Sequence, residues 1–232
     1  MHTDFKQILS SLTRKFTPII NPSYQRKDFV ALDLSSSNEQ LDVNILQDPE
    51  VHHQHIKDFL KVRKAKVAYG GYLEQRKLYD RSDYFQAAKP EDKRNIHLGI
   101  DLWCDAGTEV LSPLDGVMHS FQENTHFGDY GPTLIIQHTI ANHTFYTLYG
   151  HLSKASLEGK TVGQYIRAGE TIAWLGTPAV NGTYAPHVHF QVIRDMQGMK
   201  GDFPGVASQS QIEFYKENCP DPNLLLKIET SS

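Results

Sequence analysis

The 232-residue chain has few cysteines, no surplus of basic charge and no long apolar run. Its two cysteines, Cys104 and Cys219, are too few for a disulfide scaffold or for a zinc site built from cysteine alone. The chain has 23 lysines and arginines and 27 acidic residues, which gives a net charge of −4. This charge argues against a dedicated nucleic-acid binder. No apolar run approaches the roughly 18–20 residues of a membrane-spanning helix. We therefore expect neither a nucleic acid nor a membrane as a partner.

Histidine, in contrast, is abundant. The chain contains 12 histidines, about twice what an average composition gives. This excess is the first indication of a bound metal. The length fits one large domain, or one domain with an elaboration, that buries a core of ordinary size.

Residues 1–66 predict a helical and loop-rich extension. The apolar residues of its first segment are spaced as on one face of a helix, with Thr3 as the N-cap. They are Phe5, Ile8, Leu9, Leu12 and Phe16. Charged residues interrupt this segment, so it does not resemble a signal peptide, and we expect a cytoplasmic protein unless a leader has been removed.

A second helix is predicted to begin at Asp48-Pro49-Glu50 and to end near Lys66, because Asp is a good N-cap and Pro suits the first helical position. This helix carries three histidines among several lysines and arginines, namely His52, His53 and His55. Such a face could bind a metal or a polyanion, but we favour a solvated helical face.

From Val67 to about Ile193, short alternating segments are separated by turns rich in glycine and proline. This pattern predicts a mainly β fold, an antiparallel sheet or barrel-sandwich with a groove, rather than alternating βαβ units. We therefore divide the chain into the extension (1–66), a β domain (67–200) and a short C-terminal tail of helix and coil packed on that domain (201–232).

The segment NIHLGIDLWC, residues 95–104, predicts a strand on which His97, Gly99, Asp101 and Trp103 share one face. Gly99 would leave space for a bound group between the imidazole and the carboxylate. Imidazole and carboxylate are ligand types that a catalytic zinc ion accepts. A half-exposed strand with two polar residues is the alternative.

Two further segments place histidines on predicted strands. HVHFQVI, residues 187–193, puts His187, His189 and Gln191 on one face, which suits a metal site or two solvent-facing histidines. In YGHLS, His151 follows a strand whose face it is predicted to share with Phe145, Thr147 and Tyr149. The point where a rigid strand gives way to a loop is a usual place for a functional side chain.

In this order, the segments HLGID, YGHLS and HVHF resemble the lysostaphin and LytM-like zinc metalloendopeptidases, which cleave peptide cross-links of bacterial peptidoglycan. The neighbouring segments AGTEVLSPLDGVM, GPTLIIQHT and VGQYIRAGETIAWLG resemble strands of the same family. The resemblance covers roughly residues 67–200, which would then form a LytM-like metallopeptidase domain. The two flanking segments resemble no family that we can name.

The resemblance implies that His97, Asp101 and His189 bind one Zn²⁺ per chain, with the fourth ligand position open. It implies that His151 and His187 are catalytic residues that position and deprotonate the attacking water and stabilise the oxyanion. It also implies a peptide substrate derived from peptidoglycan and a tyrosine near the groove. The candidate tyrosines are Tyr72, Tyr79, Tyr84 and Tyr149.

Other residues have simpler interpretations. We expect His138 to support the sheet or the site, and Cys104 to be a small buried residue. The remaining histidines of the β domain, His119, His126 and His143, are predicted at the surface or in turns. One alternative function is a non-catalytic LytM-like module that binds and regulates a partner. A biotinyl- or lipoyl-type carrier is disfavoured, because neither turn of the matching segments has the lysine that such a carrier needs.

Overall fold

The computed structural model describes residues 4–42, 44–140 and 142–229. The first helix, α1, spans Phe5–Leu12, and its N-cap is Asp4, whose carboxylate accepts from the backbone N–H of Lys6 at 3.3 Å. The prediction of Thr3 as N-cap is therefore wrong, and Thr3 itself lies outside the described residues. Phe16 lies beyond the helix, because the chain becomes extended at Thr13, yet it still packs against the core.

The second helix, α2, spans Pro49–Arg63, and the carboxylate of Asp48 caps its first turn as predicted. It ends one turn before the expected position because Lys64 adopts a left-handed conformation with φ 54°. Two short helices, α3 (Ile212–Asn218) and α4 (Asn223–Leu226), follow in the C-terminal segment. Within the described ranges, no helix is long and apolar enough to cross a membrane.

The described residues form a mainly β structure. Its strands are β1 (Phe29–Ala31), β2 (Val67–Gly70), β3 (Arg94–His97), β4 (Ile100–Trp103), β5 (Glu109–Leu111), β6 (Gly116–Asn124), β7 (Gly131–Ile140), β8 (His143–Gly150), β9 (Tyr165–Ile166), β10 (Thr171–Trp174), β11 (His187–Ile193) and β12 (Val206–Ser208). The main sheet has the order β1-β2-β4-β11-β8-β7-β6-β9, and β5 with β10 and β3 with β12 form two small ladders. All of these pairs are antiparallel except β1 with β2. The prediction of a mainly β, antiparallel fold is confirmed.

The terminal segments are part of this packing. Leu9 of α1 and Leu225 and Leu226 of α4 are fully buried in the largest hydrophobic cluster, together with Phe190 of β11. Strand β1, in a segment predicted as loop, pairs with β2 at the edge of the main sheet. Burial of this apolar surface attaches α1 and α4 to the β domain.

The predicted strand 95–104 is not continuous. It divides at Leu98 and Gly99, so that β3 pairs with β12 whereas β4 lies inside the main sheet between β2 and β11. The backbone N–H of Leu98 donates to the carbonyl oxygen of Gly205, which draws the chain away from the main sheet. His97 and Asp101 consequently reach the same place from two different sheets.

Candidate functional site

The candidate site lies where β4, β11 and the end of β8 run side by side. His189 of β11 is opposite Asp101 of β4 on one side and opposite Gly150 of β8 on the other. The structure brings together the five residues proposed from the sequence, and each is at most 6% exposed. They are His97, Asp101, His151, His187 and His189.

Three atoms that could each bind a metal converge at this point. His97 Nε2 is 2.7 Å from His189 Nδ1, and Asp101 Oδ1 is 3.2 Å from the first nitrogen and 3.3 Å from the second. Among the described residues, these three side chains are the group able to share a metal ion, with ligand atoms within 4.8 Å of one another. The ligand atoms of a tetrahedral zinc site, each at about 2.0–2.2 Å from the metal, are separated by about 3.3–3.5 Å. The two distances to Asp101 Oδ1 match this separation, whereas the two nitrogens lie about 0.6 Å closer together than the lower value.

The hydrogen bonds around the two imidazoles assign their tautomers. Nδ1–H of His97 donates to the carbonyl oxygen of Gly71 at 2.9 Å, and Nε2–H of His189 donates to Oε1 of Gln191 at 2.9 Å. The nitrogens left without these bonds, Nε2 of His97 and Nδ1 of His189, therefore face each other at 2.7 Å. Both are nitrogens through which an imidazole can bind a metal cation.

The carboxylate of Asp101 completes the set of acceptors. Its Oδ1 atom is buried and has no hydrogen-bond partner. Burial alone would raise the pKa of Asp101, but the neighbouring ring of His97 and the guanidinium of Arg76 hold it well below its usual value. Burial lowers the pKa of His97 to about 3, so that ring is neutral at pH 7. Two imidazole nitrogens and one carboxylate oxygen that face one point are suited to bind a metal cation.

The role of Gly99 differs from the prediction. A Cβ atom at this position would lie 2.6 Å from Cε1 of His189 and 2.6 Å from the carbonyl oxygen of Phe190. The expected space for a bound group is therefore filled by the imidazole of His189. Glycine is required because the ring of a candidate ligand passes directly over the backbone.

His151 and His187 lie side by side at the edge of this cluster, with ring centroids 4.2 Å apart. Nδ1–H of His151 donates to the carbonyl oxygen of Asn181, and Nδ1–H of His187 donates to that of Ala185, each at 2.7 Å. The Nε2 atom of each ring consequently carries the lone pair, and that of His187 is 3.8 Å from Asp101 Oδ1. Burial lowers the pKa of His187 to about 4 and that of His151 well below its usual value.

The prediction that His151 shares a strand face with Phe145, Thr147 and Tyr149 is wrong. Phe145 and Tyr149 point into the large hydrophobic cluster on the other side of the sheet. His151 instead has a left-handed backbone with φ 64°, and its ring contacts those of His187 and Tyr130. The left-handed residue breaks the alternation of the strand and turns the imidazole toward the site.

Sequence reasoning missed Tyr130, the tyrosine nearest the candidate ligands. Its hydroxyl is 3.4 Å from His189 Nε2, and burial keeps its pKa well above the usual value, so that it remains an O–H donor. A Cβ atom at Gly150 or Gly205 would overlap its ring or its hydroxyl. Tyr130 directly precedes Gly131 at the start of β7, and its position follows no spacing pattern that would have indicated a site residue.

The four candidate tyrosines occupy different places. Tyr79 and Tyr84 line the cavity in front of the site. Tyr149 faces the hydrophobic cluster behind the sheet, and the hydroxyl of Tyr72 donates to the carbonyl oxygen of Cys219. Neither Tyr149 nor Tyr72 lines the cavity, so both are wrong as candidates for the oxyanion.

The cavity has a volume of about 120 Å³, and part of its wall comes from the N-terminal third of the chain. His52 of α2 lines it and is only 3% exposed. The prediction of a solvated histidine face is therefore wrong for His52, because α2 packs its face with His52, Ile56 and Leu60 against the domain. His53 and His55 are partly exposed.

A second cavity-lining residue that the sequence did not reveal is Arg76, which is 2% exposed. It forms ion pairs with Glu74 and with Asp101. No motif surrounds it, and an isolated arginine in a polar segment carries no sequence signal.

The remaining predictions concern supporting residues. His138 is buried and bonds to the carbonyl oxygen of Asp115 and to Oγ1 of Thr147, which confirms its role in the sheet. Cys104 is a buried free thiol, as predicted. His126 and His143 are exposed, whereas His119 is half-buried.

Comparison with known proteins supports the resemblance. Residues 95–201 match the profile described as Peptidase family M23. The chain is 30% identical over 95 residues to an uncharacterised metalloprotease of Haemophilus influenzae, covering 41% of this chain and 18% of that protein. It is 29% identical over 122 residues to lysostaphin of Staphylococcus staphylolyticus, covering 52% of this chain and 22% of that protein. The chain thus spans about a fifth of the length of these relatives.

Solved structures are also similar. The catalytic domain of lysostaphin from Staphylococcus simulans superposes with a TM-score of 0.36 and 26% identity, over 53% of this chain and 80% of that chain. The resemblance stated from the motifs is confirmed, since the segment 95–201 of this chain matches peptidase family M23 and the chain is similar to lysostaphin.

Proposed function

We propose that the protein is a zinc-dependent metalloendopeptidase that hydrolyses peptide bonds in peptidoglycan cross-links or in peptides derived from them. The observation that carries this proposal is the convergence of three buried acceptor atoms, His97 Nε2, Asp101 Oδ1 and His189 Nδ1, on one point. The names of two relatives, lysostaphin and a metalloprotease, support the reaction class.

The three acceptors would hold Zn²⁺, whose chemistry when bound is to polarise the scissile carbonyl and to make water acidic enough to attack at neutral pH. Two histidines and one carboxylate provide three protein ligands, which is the form of a catalytic rather than a structural zinc site. Gly71 and Gln191 hold the two imidazoles in the required tautomer.

Proton transfer falls to His151 and His187. Both rings are neutral and present an unprotonated Nε2, so either can accept the proton of the attacking water. The ring that accepts this proton can then deliver it to the leaving amine, because both rings line the same cavity, with centroids 4.2 Å apart. The hydroxyl of Tyr130 is the donor placed to stabilise the negative charge that develops on the carbonyl oxygen.

The test compares three single substitutions. His189→Ala removes one of three protein ligands, and we expect loss of both zinc and cleavage. His187→Ala and His151→Ala should retain near-stoichiometric zinc, whereas turnover on peptidoglycan-derived peptides should fall by about 10²–10⁴-fold. Metal analysis and a cleavage assay on the same preparations provide both readouts.

The substitution of the exposed His143 by alanine is a suitable control and should change neither readout. Zinc loss from the His187 variant with retention in the His189 variant would show that the two roles are exchanged. Full activity in all three variants would contradict the metallopeptidase function. Zinc binding without cleavage by the wild type would instead favour the non-catalytic module.

A cytoplasmic location stays a prediction, and fractionation of the host would test it.

A further inference from the structure

Arg76 is a fully buried cation that joins two carboxylates. Its side chain is 1% exposed, Nε donates to Glu74 Oε2, and Nη1 donates to Asp101 Oδ2, each at 2.5 Å. The guanidinium also lies over the ring of Trp103, 5.5 Å from its centroid. A buried arginine with this planar, two-sided geometry cannot be replaced by another cation without loss of one contact.

The bond from Arg76 gives the two oxygens of Asp101 different environments. Oδ2 is occupied by the guanidinium, whereas Oδ1 has no hydrogen-bond partner and faces the nitrogens of His97 and His189. Rotation of the carboxylate to present both oxygens to the same point would break the bond to Arg76. The carboxylate can therefore offer only one oxygen.

Arg76 is itself held in place by Glu74, whose carboxylate is anchored to the backbone. Oε1 of Glu74 accepts from the backbone N–H of Leu34 at 3.0 Å, while Oε2 of the same carboxylate accepts from Arg76. Leu34, Glu74 and Arg76 all precede the segment 95–201 that matches family M23. With two carboxylates around one guanidinium, the group has a net charge of −1, which suits a neighbouring cation.

We propose that Arg76 is a positioning residue that holds Asp101 as a one-oxygen metal ligand and thereby sets both the affinity of the site and its coordination number. This inference rests on the proposed zinc function. A residue beside a ligand acts by orienting it, and loss of such a contact commonly weakens metal binding by about 10–100-fold. Without Arg76, Asp101 is free to bind through both oxygens and to fill the position that a substrate needs.

The test measures zinc affinity by competition with a chelator for the wild type, Arg76→Met and Arg76→Lys. We expect zinc binding about 10–100-fold weaker in the Met variant. The Lys variant keeps the charge but not the two-sided geometry, so it should recover part of the affinity. The matched control is Arg81→Met, because Arg81 donates to the backbone of Thr183 and contacts no candidate ligand.

A second readout separates positioning from simple stabilisation. In the cobalt-substituted protein, the visible spectrum reports coordination number, and we expect the strong bands of a four-coordinate site to weaken in Arg76→Met. Circular dichroism of the metal-free variants checks folding. If Arg76→Met does not fold, Arg76→Lys and Arg76→Gln provide the same two measurements.

The possible results are distinct. Reduced thermal stability with wild-type zinc affinity and an unchanged cobalt spectrum would mean that Arg76 is only a structural ion pair, which overturns the inference alone. A wild-type protein that binds no zinc would overturn both this inference and the proposed function. Weaker zinc binding with an altered spectrum, partly restored by lysine, supports the inference.

Discussion

The substitution Gly99→Ala should damage the site by a purely steric route. A Cβ atom at this position would meet Cε1 of His189 at 2.6 Å and the carbonyl oxygen of Phe190 at 2.6 Å. Non-bonded heavy atoms prefer separations of about 3.5–4.0 Å, so a displacement of roughly 1 Å is required. Gly99 is not one of the glycines with a positive φ, so alanine requires no left-handed backbone there.

The structure indicates which group has to move. The carbonyl oxygen of Phe190 belongs to β11, which is held between β4 and β8, so the strand cannot yield easily. The ring of His189 is the softer element, and it carries a candidate ligand atom. Overpacking of this kind costs about 1–3 kcal/mol of folding free energy. Metal–ligand distances vary by only about 0.2 Å, so a shift of about 1 Å should remove most zinc affinity.

The assay combines thermal unfolding, zinc content and cleavage of peptidoglycan-derived peptides. For a chain of this length, 1 kcal/mol lowers the melting temperature by about 2–4 °C. We expect the melting temperature to fall by the amount that corresponds to a cost of about 1–3 kcal/mol. Activity should fall at least about 100-fold, which is the loss expected when a reacting group is misplaced by 1 Å.

The control is Gly159→Ala. Gly159 has φ 67°, and no heavy atom lies within 4 Å of the position that an alanine Cβ would take, so this substitution adds backbone strain far from the site. It should lower stability by about 1–2 kcal/mol and leave zinc content unchanged. A Gly99→Ala protein that retains stoichiometric zinc and wild-type turnover would refute the steric argument.

The parts of the fold that could be predicted are those with local signals. The cap at Asp48 and the strand from His187 to Ile193 follow from residue type and alternation, and both are found as expected. Alternation nevertheless misjudged burial, because the sheet is covered on both faces and all seven residues of β11 are buried. Period two identifies which residues share a face but not whether the other face is covered.

The parts that could not be predicted depend on contacts between distant segments. Arg76 belongs to the site through its bond to Asp101, 25 positions away. Tyr130 belongs to it because its hydroxyl approaches His189, 59 positions away, although strand β8 lies between β7 and β11. His151 is turned by its own left-handed backbone, a conformation that non-glycine residues rarely adopt. His52 reaches the cavity only because α2 packs on the domain. No periodic pattern or motif in the sequence indicates these contacts or this backbone conformation.

Two further substitutions test how far the fold and the site extend. Leu9→Ala truncates a fully buried side chain of α1 in the largest hydrophobic cluster, and it should lower the free energy of unfolding by about 2–5 kcal/mol in denaturant titration. A change below about 0.5 kcal/mol would mean that α1 is not part of the cooperative fold. Tyr130→Phe keeps the ring that fits between Gly150 and Gly205 but removes the O–H beside His189. Because the ring still fills its place, zinc content and stability should hardly change, whereas kcat should fall by about 10²–10³-fold with little change in KM. Equal kcat for the two proteins in steady-state kinetics would exclude the hydroxyl as the oxyanion donor, and loss of zinc would show that Tyr130 supports His189 instead.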